Sequence, residues 1–174
     1  SVAVALEVYS SSDLRLYQNN NIVRLPVIDE MGTYNGTNNN AQAGCVGWDG
    51  YSFDFDGGDD WVSVPYSATL AGVFQGDFTL SLWARSKRHA RDSRNNNEAL
   101  LIDFGTSHAD GVGIAFNDAN TFYPNNNRIV GYYNGVGFGT VTGIAWAWYH
   151  IALVRSGNNL NLYVNGLPAG NATA

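Results

Sequence analysis

The sequence of 174 residues is poor in cysteine and in charge. Its single cysteine, Cys45, excludes a disulfide within the chain. Charged residues make up 14% of the sequence, against about 25% in average proteins. The net charge of −6 argues against general binding to nucleic acid. No apolar run approaches the roughly 20 residues of a membrane-spanning helix, so we expect no membrane insertion.

Residue arrangements typical of catalytic sites are also scarce. Glutamate occurs only as Glu7, Glu30 and Glu98. A glycoside hydrolase needs two carboxylates flanking the scissile bond, and no E-x-D-x-x-E pattern offers such a pair. No Ser-His-Asp, Cys-His or phosphate-binding loop arrangement is convincing either. We therefore expect no enzymatic activity.

The sequence is rich in glycine, asparagine clusters and aromatic residues, with 20 glycines and 13% aromatics. Short apolar runs that alternate with period two are separated by Gly, Asn or Asp. In residues 78–86, for example, Leu80 and Leu82 alternate with Ser81 and Trp83. This spacing predicts an all-β domain, either a two-sheet sandwich or a jelly roll.

Four motifs carry a resemblance to a known family. They are FDGGDDWV (55–62), FTLSLW (78–83), WYHIA (148–152) and LNLYVNG (160–166). In this order they resemble laminin G-like domains of the concanavalin A-like jelly-roll superfamily. The resemblance implies a two-sheet antiparallel jelly-roll sandwich, which we assign to residues 19–174. Because such domains bind glycans, proteins or no known ligand, the resemblance is specific for fold alone.

Several motif residues have structural interpretations. Trp83 and Trp148 are predicted to pack in the core between the sheets. Because AWAW alternates, Trp146 is predicted to face inward with Trp148. His150 is interpreted as a hydrogen-bonded structural residue. Asn165 and the following glycine are predicted to form a two-residue hairpin turn, in which both residues need a positive φ.

The ends of the sequence raise the question of a closing strand. Residues 148–174 read as two strands and a turn, whereas the family usually adds a further strand pair. Residues 1–18 are predicted to be an N-terminal strand and hinge that resembles the absent end. Val2, Val4, Leu6 and Val8 share one face of this strand. We expect the strand to close the sandwich, because an open groove leaves backbone groups unpaired.

Three arrangements of this strand stay open. It folds back within its own chain, it inserts into the next subunit, or the sequence is shortened. Insertion between chains builds a head-to-tail polymer. The leading prediction is a secreted, non-enzymatic subunit of an extracellular filament or pilus-like polymer, with copies of itself as partners. The alternatives are a glycan- or protein-binding adhesion module and a virion surface protein.

The acidic turn after residue 55 is a candidate calcium site. Asp56, Asp59 and Asp60 are hard oxygen donors in a glycine-rich segment, as calcium prefers. The alternative is an ordinary turn in which these groups bind local backbone. No cofactor is required by the sequence, and calcium is the one candidate.

Two further surface features are candidate sites. The segment RSKRHARDSR (85–94) is a candidate patch for an anionic partner, the alternative being a solvated loop. Its basic residues, five of the nine in the chain, are Arg85, Lys87, Arg88, Arg91 and Arg94. Asn35 and Asn171 begin Asn-x-Thr sequons and are candidate glycosylation sites, as expected for an extracellular or cell-surface protein.

Overall fold

The computed structural model describes residues 2–5, 27–29, 33–86, 98–105, 110–117, 128–141 and 146–174. Within these ranges the chain forms thirteen strands and one short helix, α1 (Ala68–Val73). The strands are β1 (Val2–Ala5), β2 (Thr37–Asn39), β3 (Gln42–Val46), β4 (Tyr51–Phe55), β5 (Trp61–Ser63), β6 (Phe78–Ser86), β7 (Glu98–Phe104), β8 (Val112–Asn117), β9 (Arg128–Tyr133), β10 (Val136–Phe138), β11 (Trp148–Ser156), β12 (Asn159–Val164) and β13 (Leu167–Thr173).

The strands form two large antiparallel sheets and one small sheet. The large sheet has seven strands in the order β13-β12-β11-β6-β1-β4-β3. The opposing sheet has four strands in the order β10-β9-β8-β7, and β2 pairs with β5 alone. The predicted all-β, two-sheet antiparallel architecture is confirmed, and it is that of a jelly-roll sandwich.

The core lies between the two large sheets and is built from every second residue of the facing strands. Leu82 of β6 pairs with Ile151 of β11, and both are buried. They belong to one apolar cluster with Ile114 of β8 and Ile129 of β9 on the opposing sheet. A smaller cluster around Phe53 lies toward the other end of the large sheet.

Strand β1 lies inside the large sheet, between β4 and β6. Val2 pairs with Phe55 of β4 and with Ser86 of β6. The strand therefore belongs to the same sheet as strands of the segment 19–174. Of the predicted interface residues, Val2 and Val4 lie in β1, and Leu6 and Val8 lie outside the described residues.

The C-terminal segment contains three strands rather than the predicted two. β13 follows β12 and forms one edge of the large sheet. Pro168 lies opposite Tyr163, next to a register shift between Leu162 and Tyr163. A proline lacks the backbone N–H and is tolerated at an edge or bulge. The proline and Gly170 interrupt the apolar pattern, so this strand was missed.

Helix α1 was not predicted from the sequence. Its six residues are too few to display a helical period, and Ser67 caps it by accepting the Leu70 backbone N–H at 3.4 Å. Phe74 after the helix packs against Phe78 of the large sheet and Phe104 of the opposing sheet. In the part of the chain described, no helix is long and apolar enough to cross a membrane.

The predicted hairpin turn between β12 and β13 is confirmed. Asn165 and Gly166 have φ values of 51° and 77°. The Asn165 side-chain oxygen accepts the His150 backbone N–H at 3.0 Å, and the Asn165 N–H donates to the His150 carbonyl at 2.8 Å. The turn is thereby joined to the first residues of β11.

Candidate functional site

The outer face of the large sheet, which points away from the four-stranded sheet, carries a group of large side chains. On β6, Ala84 is fully buried in the core, so its neighbours Trp83 and Arg85 point the opposite way. His150 of β11 lies opposite Trp83. Two residues earlier on the same strand, Trp148 lies opposite Arg85. The two pairs are therefore neighbouring rows, about 7 Å apart along the strands.

The first row is aromatic. Trp48 stacks on Trp83, with ring centroids 4.5 Å apart and an interplanar angle of 8°. The His150 ring lies 5.3 Å from the Trp83 ring at 50°. Trp48 belongs to the turn between β3 and β4, where the Gly47 N–H donates to the Gly50 carbonyl at 3.0 Å. Its side chain is 58% exposed, so the stacked pair presents an indole to solvent.

The second row combines a cation with two indoles. The guanidinium carbon of Arg85 lies 4.9 Å from the centroid of the Trp148 ring and 5.9 Å from that of Trp146. Its Nε is buried and has no hydrogen-bond partner among the described residues. Within the described ranges, no carboxylate forms an ion pair with Arg85. The positive charge is therefore held by aromatic rings and is not neutralised by a neighbouring acid of the described chain.

Trp146 has an unusual backbone for an aromatic residue. Its φ is 67°, in the left-handed region that side chains other than glycine seldom adopt. Its backbone N–H donates to the Ser86 carbonyl at 2.7 Å, at the end of β6. The side chain is 63% exposed. Strained backbone of this kind is frequent at functional sites.

We name these six residues the aromatic face: Trp48, Trp83, Arg85, Trp146, Trp148 and His150. The prediction that Trp83 and Trp148 pack in the core is wrong, because both lie on the face opposite the buried residues of β6 and β11. The prediction that Trp146 faces inward is wrong as well.

The sequence did contain a signal for this arrangement. In the alternation along β6, Trp83 falls on the same side of the strand as the polar residues Thr79, Ser81 and Arg85. The core residues fall on the other side. Alternation therefore indicated the outer face, and the apolar character of tryptophan was given too much weight. Trp48 lies in a turn, where no periodicity applies, and no sequence signal marks it.

The acidic turn brings together the three predicted metal ligands. One carboxylate oxygen from each of Asp56, Asp59 and Asp60 lies within 4.8 Å of the others. The Asp60 carboxylate accepts the Asp56 N–H at 2.7 Å, and the Asp56 carboxylate accepts the Gly58 N–H at 2.6 Å. The Asn40 amide donates to Asp59 at 3.0 Å.

This donor set fits calcium, which prefers carboxylate oxygens. Three carboxylates so close together repel one another, and a divalent cation relieves the repulsion. The turn follows Phe55, and Phe55 and Ser86 both pair with Val2. The acidic turn therefore lies at the end of the sheet where β6 ends, near Arg85. Calcium binding stays a prediction.

The basic segment and the two sequons are the remaining predicted sites. Of the basic segment, Arg85 is described, and the others lie outside the described residues: Lys87, Arg88, Arg91 and Arg94. Asn35 is exposed, and its side-chain oxygen accepts the Asp29 N–H at 2.9 Å. Asn171 is exposed on β13. Both sequons are accessible, and their glycosylation stays a prediction.

The architecture defines a laminin G-like β-sandwich domain, which fits a binding or adhesion module. A family model described as the concanavalin A-like lectin/glucanases superfamily matches residues 56–174. Because the match covers more than half of the chain, the chain belongs to this superfamily, as the four motifs predicted. No curated protein and no solved structure matches the chain.

Proposed function

We propose that the domain is a non-enzymatic carbohydrate-binding module, extracellular or at a cell surface, whose binding site is the aromatic face. One observation carries the proposal: large aromatic side chains lie half-exposed on the outer face of the sheet, not in the core. Burying such a side chain contributes about 1.5–3 kcal/mol to folding. Leaving several of them in contact with solvent is typical of a binding surface.

The composition of the aromatic face suits a sugar ligand. Indole rings offer flat apolar surfaces, and Arg85 and His150 add polar groups. Binding sites generally combine an aromatic lining with a few polar groups that fix the orientation of the ligand. The Trp48–Trp83 stack and the Arg85 row together form a continuous surface across several strands.

The absence of enzymatic activity is part of the proposal. The superfamily includes glucanases by name, and glycoside hydrolysis needs two carboxylates on either side of the sugar bond. The sequence has no E-x-D-x-x-E pattern. In the described ranges the one cluster of three acidic side chains is the acidic turn, where Asp56 and Asp60 bind backbone N–H groups. These bonds favour a structural role.

A glycan array followed by calorimetry tests the proposal. We expect the wild-type protein to bind at least one glycan, and Trp146→Ala to weaken that binding about fivefold or more. Trp61→Ala is the matched control, because Trp61 is 53% exposed and lies outside the aromatic face. Its binding should stay within about twofold of wild type. The proposal would be contradicted if the protein bound to no glycan on the array, or if the two variants lost equal affinity.

A second candidate function is the polymer subunit assembled by β-strand addition. The observation that favours it is the position of β1, a four-residue strand that bonds to β4 on one side and β6 on the other. The same slot in one molecule would accept the same strand from a second copy. The ladder hydrogen bonds, at about 0.5–1.5 kcal/mol each, are the same in both arrangements. Exchange therefore has to offset an association cost of about 4–15 kcal/mol through new contacts between the copies.

Light scattering of the full-length protein over a range of concentrations tests this candidate. Exchange between copies predicts a mass that rises with concentration and falls when a peptide of residues 1–12 is added in excess. Val4→Pro removes one backbone donor from β1, and with it a hydrogen bond to one of the two neighbouring strands, so it should weaken the insertion of β1 within a chain and between chains alike. A constant monomer mass at every concentration would rule out the polymer and leave the carbohydrate-binding proposal untouched.

A further inference from the structure

We propose that Arg85 makes the aromatic face selective for anionic saccharides, that is, for glycans that carry carboxylate or sulfate groups. The inference rests on the proposed carbohydrate-binding function and names the ligand class of the same site. Three observations carry it: the environment of the Arg85 charge, the strained backbone of Trp146, and the charge of the surrounding surface.

The first observation is that the charge of Arg85 lies among aromatic rings. The guanidinium lies over Trp148 and near Trp146, at 4.9 and 5.9 Å from the ring centroids. The described residues supply neither a carboxylate that pairs with it nor a hydrogen-bond partner for its buried Nε. Aromatic packing holds the planar guanidinium in one orientation, with N–H groups left for an external anion.

The second observation is the backbone of Trp146. The left-handed φ of 67° is unfavourable for a tryptophan, and the bond from its N–H to the Ser86 carbonyl holds it there. This conformation places a 63% exposed indole beside the guanidinium. A ligand that contacts both groups needs an apolar ring surface next to a negative group. A uronic acid or a sulfated sugar has this combination.

Arginine suits this role better than lysine. Its planar fork binds a carboxylate or a sulfate through two parallel hydrogen bonds, and it stacks on aromatic rings. A lysine would keep the charge but lose both the fork and the stacking. The geometry of the site therefore favours recognition of a defined anionic group, and the identity of residue 85 becomes testable separately from its charge.

The third observation is that the rest of the protein is acidic. With a net charge of −6, the domain does not attract polyanions in general, so an anionic ligand needs a local site. Asp54 lies across β1 from Arg85, since both residues pair with Ala3. The strands are about 4.8 Å apart, so the two backbones are about 10 Å apart. Asp54 and the nearby acidic turn therefore oppose a bound anion, and the proposed preference depends on direct contact between the anionic group and Arg85.

Matched pairs of glycans test the inference by calorimetry. One arm compares oligogalacturonate with its fully methyl-esterified form, and the other compares heparin fragments with desulfated fragments. Each arm runs with calcium and with EDTA, because of the nearby acidic turn. We expect the wild-type protein to bind the charged member of at least one pair about tenfold more tightly or better, with the arm identifying carboxylate or sulfate.

Substitutions at residue 85 make the test specific. Arg85→Gln should reduce the ratio of the affinities for the charged and the neutral glycan to about one, and Arg85→Lys should restore part of the preference. Arg128→Gln is the charge control, because Arg128 lies on the opposing sheet and bonds the Gly139 carbonyl. Thermal melting checks that each variant is folded.

The outcomes separate the two proposals. Equal wild-type affinity for charged and neutral glycans, or a preference that survives in Arg85→Gln, overturns the anionic selectivity and leaves carbohydrate binding intact. Failure to bind either member of both pairs, together with an empty glycan array, overturns the proposed function and this inference with it.

Discussion

Trp48 lies flat against Trp83, with the ring centroids 4.5 Å apart. Trp83 belongs to β6, whereas Trp48 belongs to the turn between β3 and β4, on the far side of β1 in the sheet. The stack therefore links two parts of the sheet that share no backbone hydrogen bonds with each other. It contributes both to the aromatic face and to the attachment of the β3–β4 hairpin.

Replacing Trp48 with alanine should lower the free energy of unfolding by about 1–2 kcal/mol, because a stacked aromatic pair contributes about 0.5–1.5 kcal/mol beyond the area it buries. Trp48→Phe keeps a ring in contact with Trp83 and should lose less. Urea denaturation measures both. Trp61→Ala is the control, since Trp61 is similarly exposed and has no ring contact among the described residues. Equal losses for Trp48→Ala and Trp61→Ala would contradict this account of the stack.

A second prediction concerns Arg155, which joins the segment after α1 to both sheets. Its Nη1 donates to the carbonyls of Phe74 and Gln75 at 3.2 and 2.9 Å and to the Tyr133 hydroxyl at 2.6 Å. Hydrogen bonds from a charged donor contribute about 1.5–3 kcal/mol. Arg155→Ala should therefore lower the free energy of unfolding by about 2–3 kcal/mol in urea denaturation.

Arg128→Ala is the matched control for Arg155, because Arg128 makes one such bond, to the Gly139 carbonyl at 3.1 Å. We expect it to lose about 1 kcal/mol. A loss as large as that of Arg155→Ala would show that the number of carbonyl contacts does not determine the effect.

The fold was predictable from the sequence where alternation is strict. In β6 the apolar residues Phe78, Leu80 and Leu82 occupy every second position, and the observed strand has the predicted bounds. Strand β13 and helix α1 could not be predicted in this way. The strand contains Pro168 and depends on pairing with β12, and the helix is shorter than two periods.

The site was harder to predict than the fold. The sequence marked Arg85 through its charge and the acidic turn through its composition, and both lie on the surface. It did not mark Trp48 or Trp146, because a turn residue has no period and a positive φ follows from a hydrogen bond to a distant residue, here Ser86. The aromatic face was not predicted because Trp83, Trp146 and Trp148 were assigned to the core.

The calcium prediction can be tested on thermal stability. Ca²⁺ at about 10 mM, acting on a site with a dissociation constant of about 1 mM, stabilises the folded state by about 1.4 kcal/mol. For a domain of this size the melting temperature should rise by about 3–6 °C. The physical reason is that the cation relieves repulsion among Asp56, Asp59 and Asp60, whose carboxylates lie within 4.8 Å of one another.

Asp59→Asn is the variant that tests this explanation. The carboxylate of Asp59 accepts the Asn40 amide, whereas Asp56 and Asp60 bind the backbone of the turn. The substitution should therefore abolish the calcium-induced shift at little cost to basal stability. EDTA and sodium chloride of equal ionic strength are the buffer controls. A wild-type protein that melts at the same temperature with calcium and with EDTA would contradict the prediction.

Tyr132 and Asp103 form a hydrogen-bonded pair on the outer face of the four-stranded sheet. The Tyr132 side chain is fully buried, and its hydroxyl donates to the Asp103 carboxylate at 2.5 Å. Gly113 lies opposite both residues in the ladder. Because glycine has no Cβ, the tyrosine ring occupies the space above residue 113.

Gly113→Ala should therefore destabilise the domain by about 1–3 kcal/mol or more, because the added methyl group would overlap the Tyr132 ring and the Ile102 carbonyl.

Gly72→Ala is the opposite case: Gly72 lies in α1, has no positive φ, and a Cβ there meets no atom within 4 Å. Alanine is the better helix former, so this variant should gain about 0.5–1 kcal/mol. Chemical denaturation measures the free energy of unfolding of each variant, which should fall for Gly113→Ala and rise for Gly72→Ala. A neutral Gly113→Ala would mean that the Tyr132 ring can move aside, and the tight packing of Tyr132 over Gly113 would then not be required for stability.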